Sequence, residues 1–258
     1  MHRSAPRLSR ILVCAAVPVM LVVAGCSSDS DDTKGSSDSP SAKKSQSSVE
    51  PAKFAALPDA CASIGTKTIG SLVPKTKNKG GTPGRSSDTA TRGSCSWNGL
   101  DDKGVKGSQY RWLDVGFTRF ESDQSLGSGA KRATDDYTKQ IAKAQATEGA
   151  KTVAAVPATG IGEQATVVTY DLTKTSEDFK YATIVARTGN VVVTLTYNGA
   201  GYAGAKAPAA ADILKGARTA ATEAVAAVAA DKGDDTPAAE KPSAKPSGKA
   251  SGSADTTS

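Results

Sequence analysis

Histidine is nearly absent from this chain: its 258 residues include one, His2, in the N-terminal segment. That excludes a multi-histidine metal centre and any catalytic triad built on imidazole. Aromatic residues are scarce too, 5% of the chain as four Phe, two Trp and six Tyr. Much of the 38% apolar fraction is alanine, so the packed core is expected to be smaller than the chain length suggests. No G-x-S-x-G elbow and no C-x-x-C pair occurs, which leaves serine hydrolase and dithiol redox chemistry without support.

What is present begins at the N-terminus. Residues 1–10 carry Arg3, Arg7 and Arg10, and an apolar run from Ile11 to Ala24 follows, ending in Gly25-Cys26. The run is short for a membrane span, and its order of basic, apolar and small residues is that of a signal peptide. Val23-Ala24-Gly25-Cys26 resembles the bacterial lipobox, which implies cleavage after residue 25 and lipidation of Cys26. Each buried CH₂ of an acyl chain contributes about 0.8 kcal/mol, so several chains would hold the body at the outer face of the cytoplasmic membrane. Loss of residues 1–25 removes three arginines and lowers the formal charge from +6 to +3, too mild a balance to suggest nucleic acid as a partner.

Residues 26–53 are rich in Ser, Asp, Lys and Pro and read as a flexible tether, because they lack the apolar area to offset their ordering. Residues 54–230 bring spaced aromatic and branched side chains and are expected to form one folded domain. Residues 231–258 return to Pro, Ala, Lys, Ser and Gly and are expected to be a disordered tail.

Within the domain, Ala62 to Leu72 suggests a short helix or two turns around Ile64, Ile69 and Leu72, and Lys75 to Gly93 a polar, glycine-rich loop. Tyr110 to Phe120 alternates Leu113, Val115 and Phe117 inward with Trp112, Asp114 and Thr118 on a half-exposed outer face, as a strand does. Ala133, Tyr137, Ile141 and Ala144 share one side of a helix over Ala130 to Gln145. Strands are expected over Ala165 to Tyr170, Tyr181 to Arg187 and Val191 to Tyr197, with Thr188-Gly189-Asn190 as a tight connection. Asp212 to Ala230 carries a helical stripe of Ile213 or Leu214, Ala217, Ala221, Val225 and Val228, entered near Pro208. The order favours an α+β fold: an antiparallel or mixed β-sheet with helices packed on one face.

Cys61 and Cys95 are the two cysteines of the exported body, and in an oxidising compartment they are expected to form one disulfide closing the glycine-rich loop. Together, Leu57-Pro58-Asp59-Ala60-Cys61, Gly93-Ser94-Cys95-Ser96-Trp97 and the run Val156 to Ala165 resemble the actinobacterial lipoproteins grouped as domain of unknown function 3558. Ala60 stands where the commoner family motif has proline. The resemblance spans roughly Pro58 to Val228 and implies an exported, membrane-anchored α+β protein with a cysteine pair; it transfers no catalytic or ligand-binding residues.

Trp97 and Trp112 have two readings, as scarce core volume or as contacts to a ligand or partner. Lys75, Lys77, Lys79 and Arg85 cluster in the long loop, where they either stay solvated or meet an anionic polymer or lipid headgroup; no aromatic residues interleave them as in a nucleic-acid surface. Gly160-Ile161-Gly162 precedes a strand and no lysine follows, which suits a tight turn rather than a phosphate cradle. Asp135, Asp136, Glu163, Asp171, Glu177 and Asp178 show no spacing that sets up an acid/base pair. No metal and no cofactor is expected. The sequence therefore points to a lipid-anchored, noncatalytic binding or accessory module of the cell envelope, contacting a small ligand, a cell-wall polymer or an envelope protein. The alternatives are a structural subunit of an envelope complex and, less favoured, a hydrolase with a carboxylate- or lysine-based site.

Overall fold

The computed structural model describes residues 49–231. The signal peptide, Cys26, nearly all of the tether and the tail beyond Asp231 lie outside the described residues.

The chain forms α1 (Thr66–Leu72), β1 (Thr82–Pro83), β2 (Arg92–Asp101), β3 (Ser108–Arg119), α2 (Gly129–Gln145), β4 (Lys151–Pro157), β5 (Gln164–Lys174), β6 (Glu177–Thr188), β7 (Val191–Tyr202) and α3 (Ala210–Ala230). The strands make one seven-stranded sheet in the order β1-β2-β3-β7-β6-β5-β4, with antiparallel pairing throughout. Three of the expected strands are longer than expected: β5 and β7 run on to Lys174 and Tyr202, and β6 begins at Glu177.

Alternation along the strands divides the side chains between two faces. Leu113, Val115 and Phe117 of β3, Ile184 of β6 and Val193 and Leu195 of β7 enter the main core. On that face α3 lays down Ile213, Ala217, Ala220, Ala221 and Ala224, all at most 1% exposed, and α1 adds Ile69. The alanines let α3 approach closely: at Gly216 an added Cβ would sit 2.8 Å from the Tyr197 ring. Thus α1 and α3 pack on one face, as expected. The third helix, α2, covers one end of the other face, where Ala133 packs with Val185 and Val192 and the Tyr137 hydroxyl lies 2.7 Å from Thr166 Oγ1. Ser128 caps α2 by accepting a hydrogen bond from the Lys131 N–H.

The Cys61–Cys95 disulfide forms as expected and ties the segment before α1 to β2. The glycine-rich loop it closes is not wholly irregular: β1 pairs with β2, and Gly81, at φ +76, turns so close that a Cβ there would meet both Cys95 Sγ and the Trp97 indole. Structure also starts before Phe54. Ser122 donates to the Glu50 carbonyl at 2.6 Å, and Lys53 pairs with Glu163 at 3.0 Å.

Candidate functional site

The sheet face that α2 leaves uncovered has a shape fixed by cross-strand register. One row across the sheet runs Tyr110, Ala200, Phe179; the next runs Trp112, Asn198, Tyr181; the third runs Asp114, Thr196, Thr183. Small residues on the central strand β7 lie between larger ones on β3 and β6. The outcome is a trough with β7 as its floor and rings as its walls, a cavity of about 480 Å³ that Tyr202, Lys174 and Thr175 also line.

The walls hold one another in place. Tyr110, Phe179 and Tyr202 meet edge to face at 6.1 to 6.3 Å, and Tyr181 stacks on Tyr170 at 4.8 Å. Such pairs contribute about 0.5–1.5 kcal/mol beyond their buried area. Lys174, at the end of β5, puts its ammonium 5.4 Å from the centre of the Tyr181 ring and donates to the Tyr181 hydroxyl at 3.0 Å.

Two polar groups in the trough are incompletely matched by the protein, one without a counter-ion and one without a hydrogen bond among the described residues. Asp114 is half-buried beside Trp112, and no Lys or Arg pairs with it among the described residues. Burial pushes its carboxyl up from 3.8 to about 6, against a smaller opposing effect of the Trp112 side chain as hydrogen-bond donor. Asn198 is 5% exposed, its amide makes no hydrogen bond to another described residue, and the trough is where that amide still meets solvent.

The residues singled out from the sequence are dispersed. Trp112 lies in the trough wall. Trp97 does not join it: the ring is 1% exposed in the main core and its indole N–H donates to the Lys79 carbonyl at 3.1 Å, which corrects its reading as a contact residue. Lys75 and Lys77 line a separate cavity of about 580 Å³ beside Asn78 and Asp102, whereas Arg85 lines another of about 260 Å³ with Arg92 and Gln140. Lys79 is exposed and lines neither cavity, so the four cations do not form one patch. Gly160 and Gly162, at φ +79 and +61, make the turn into β5, and Glu163 after them joins Lys53, Arg187 and the Gly189 N–H.

No family model matches the chain, so the motif resemblance drawn above gains no match of that kind. No curated protein matches it either. Among solved structures the chain is similar to LpqN, described as involved in cell envelope biogenesis of Mycobacterium tuberculosis. The identity is 14% and the TM-score 0.31, over 55% of this chain and 82% of that one. A likeness this loose carries no functional argument, and the trough has to be read on its own chemistry. Among the described residues, no group of three or more His, Cys, Asp or Glu is arranged to hold a metal ion.

Sequence reasoning found Trp112 but not Tyr110, Phe179, Tyr181, Asn198 or Tyr202 as its neighbours. The alternation in Tyr110-Arg111-Trp112-Leu113-Asp114 puts three of the trough residues on one side of β3. Their partners on β6 and β7 depend on the pairing register, which the sequence does not display.

Proposed function

We propose that the chain is a lipoprotein held by Cys26 at the outer face of the cytoplasmic membrane, whose folded body is a noncatalytic binding module of the cell envelope. The observation that carries the binding part is the trough, where aromatic walls surround a carboxyl that has no counter-ion and an amide that makes no hydrogen bond among the described residues. Buried charges are as a rule paired and buried polar groups hydrogen-bonded, so an unpaired carboxyl beside a free amide in an aromatic cavity is suited to a ligand. Location rests on the lipobox-like residues Val23 to Cys26.

Two experiments test the two parts. Palmitate labelling in the native host should be lost in Cys26→Ala, and equal incorporation would refute the anchor. Native mass spectrometry of the full chain released gently from its envelope should show an added mass of a few hundred daltons that Trp112→Phe or Asn198→Ala reduces. Unchanged occupancy in both variants would remove the trough from the reading.

Assembly into an envelope complex is a second reading, favoured by the sheet edge at β4. All seven of its residues are exposed, with Val153 at 39% and Val156 at 49%, and it pairs on one side only, with β5. Crosslinking from β4 in intact cells should then recover one reproducible partner.

A further inference from the structure

We propose that the trough takes a small molecule bearing an organic ammonium group, with Asp114 as its counter-ion and Trp112 and Tyr181 as the rings that flank it. This rests on the reading of the trough as a binding site and names the class of ligand.

Charge complementarity is the first support. A carboxylate held among rings with no cation beside it is an incomplete pair, since buried charges are ordinarily matched. A positive group entering the trough would match it and at the same time meet ring faces, whose quadrupole attracts cations. An anionic ligand would meet Asp114 as a like charge. A neutral polyol would leave the charge unmatched.

The protein itself supplies the second support. Lys174 already donates to the Tyr181 hydroxyl at 3.0 Å, so an ammonium of the chain itself sits at the hydroxyl edge of this wall. Tyr181 is the cross-strand neighbour of Asn198, which in turn faces Trp112. The amide of Asn198, a residue 5% exposed, makes no hydrogen bond among the described residues and then has a ligand's hydroxyl or carbonyl within its reach as a second anchor.

The groups lining the trough beside Asp114 are Trp112 and Tyr110 from β3, Thr196, Asn198 and Tyr202 from β7, Phe179 and Tyr181 from β6, Lys174 from the end of β5 and Thr175 from the β5–β6 turn. Lys174 is the one charged group among them besides Asp114, and it is engaged by Tyr181. Since burial holds the free carboxyl near 6, ammonium binding should strengthen as the pH rises through that value and the carboxylate forms.

The test titrates the purified full chain with choline, with its uncharged isostere 3,3-dimethylbutan-1-ol and with glucose. Binding is followed through the indole N–H NMR signal of Trp112, assigned by its loss in Trp112→Phe. The Trp97 signal, from the core, reports whether each variant stays folded. Choline should move the Trp112 signal saturably, and the isostere should bind about tenfold more weakly or worse. Asp114→Asn should weaken choline by about tenfold and flatten the dependence of its affinity on pH between about 5 and 7. An isostere or glucose that binds as well as choline, or an Asp114→Asn protein that titrates like the parent, would overturn the ammonium assignment while leaving the trough a binding site. Silence of the Trp112 signal to all three probes would overturn both.

Discussion

Asn190 and Phe54, 136 residues apart, are joined backbone to side chain in both directions: the Phe54 N–H donates to Asn190 Oδ1 at 2.8 Å, and Asn190 Nδ2 donates to the Phe54 carbonyl at 2.9 Å. The same Nδ2 reaches the Phe120 carbonyl at 2.9 Å. One fully buried side chain at the β6–β7 turn therefore pairs backbone at the start of the domain and at the end of β3. Asn190→Ala removes three hydrogen bonds and strands buried backbone groups, so it should cost about 2–4 kcal/mol. Urea unfolding would read this as a lower midpoint with an unchanged slope. A loss below about 0.5 kcal/mol would mean that water replaces the amide.

The disulfide offers a second measurement of the same kind. It spans 34 residues, and loop-closure entropy assigns such a link about 3–4 kcal/mol. The double variant Cys61→Ala with Cys95→Ala should fall in stability by about that much, less if the reduced chain keeps residual structure. Thiol counting should find no free cysteine in the oxidised body. The loop should loosen as well, because Gly81 is turned directly against Cys95 and Trp97.

Which elements were legible in the sequence depended on burial. The helix α3 and strands β3, β6 and β7 each bury an apolar face, so a 3.6- or 2-residue period survives in their sequences. The missed strand β4 is exposed along its whole length and so carries no period. Strand β2 was missed because its inward positions include Gly99, where the backbone passes so near Pro74 that a Cβ would lie 2.4 Å from the carbonyl; glycine there marks close approach and reads as a loop. The trough was half legible. Trp112 and Asp114 showed as the outer face of a strand, but what stands across from them is a matter of register.

Gly216 tests the close fit of α3 on the sheet. In an exposed helix interior, Gly→Ala gains about 1 kcal/mol. Here the new methyl would sit 2.8 Å from both the Tyr197 ring and Leu72 Cδ2, and the ring is fixed by a hydrogen bond of 2.6 Å from its hydroxyl to the Leu72 carbonyl. Overpacking costs about 1–3 kcal/mol, so Gly216→Ala should lower stability on balance. A rise in the thermal midpoint would mean that α3 shifts freely over Tyr197.

Asp114→Asn should stabilise the protein at neutral pH, the opposite of what loss of a useful carboxylate would do. The folded-state value of about 6 lies above the ordinary 3.8, so the folded protein keeps a proton that the unfolded chain has already released. Stability therefore falls as the pH rises from about 4 to about 6 and stays lower above that range. Asparagine does not titrate and escapes this penalty. The variant should gain about 1–2 kcal/mol near pH 7, a few degrees in thermal midpoint, and the gain should disappear near pH 4. A gain that does not depend on pH would point to packing instead. Where the pH-dependent gain is found, Asp114 costs the folded protein stability at the pH where it is charged, and a carboxylate kept at such a cost inside an open aromatic trough is explained by what it binds there.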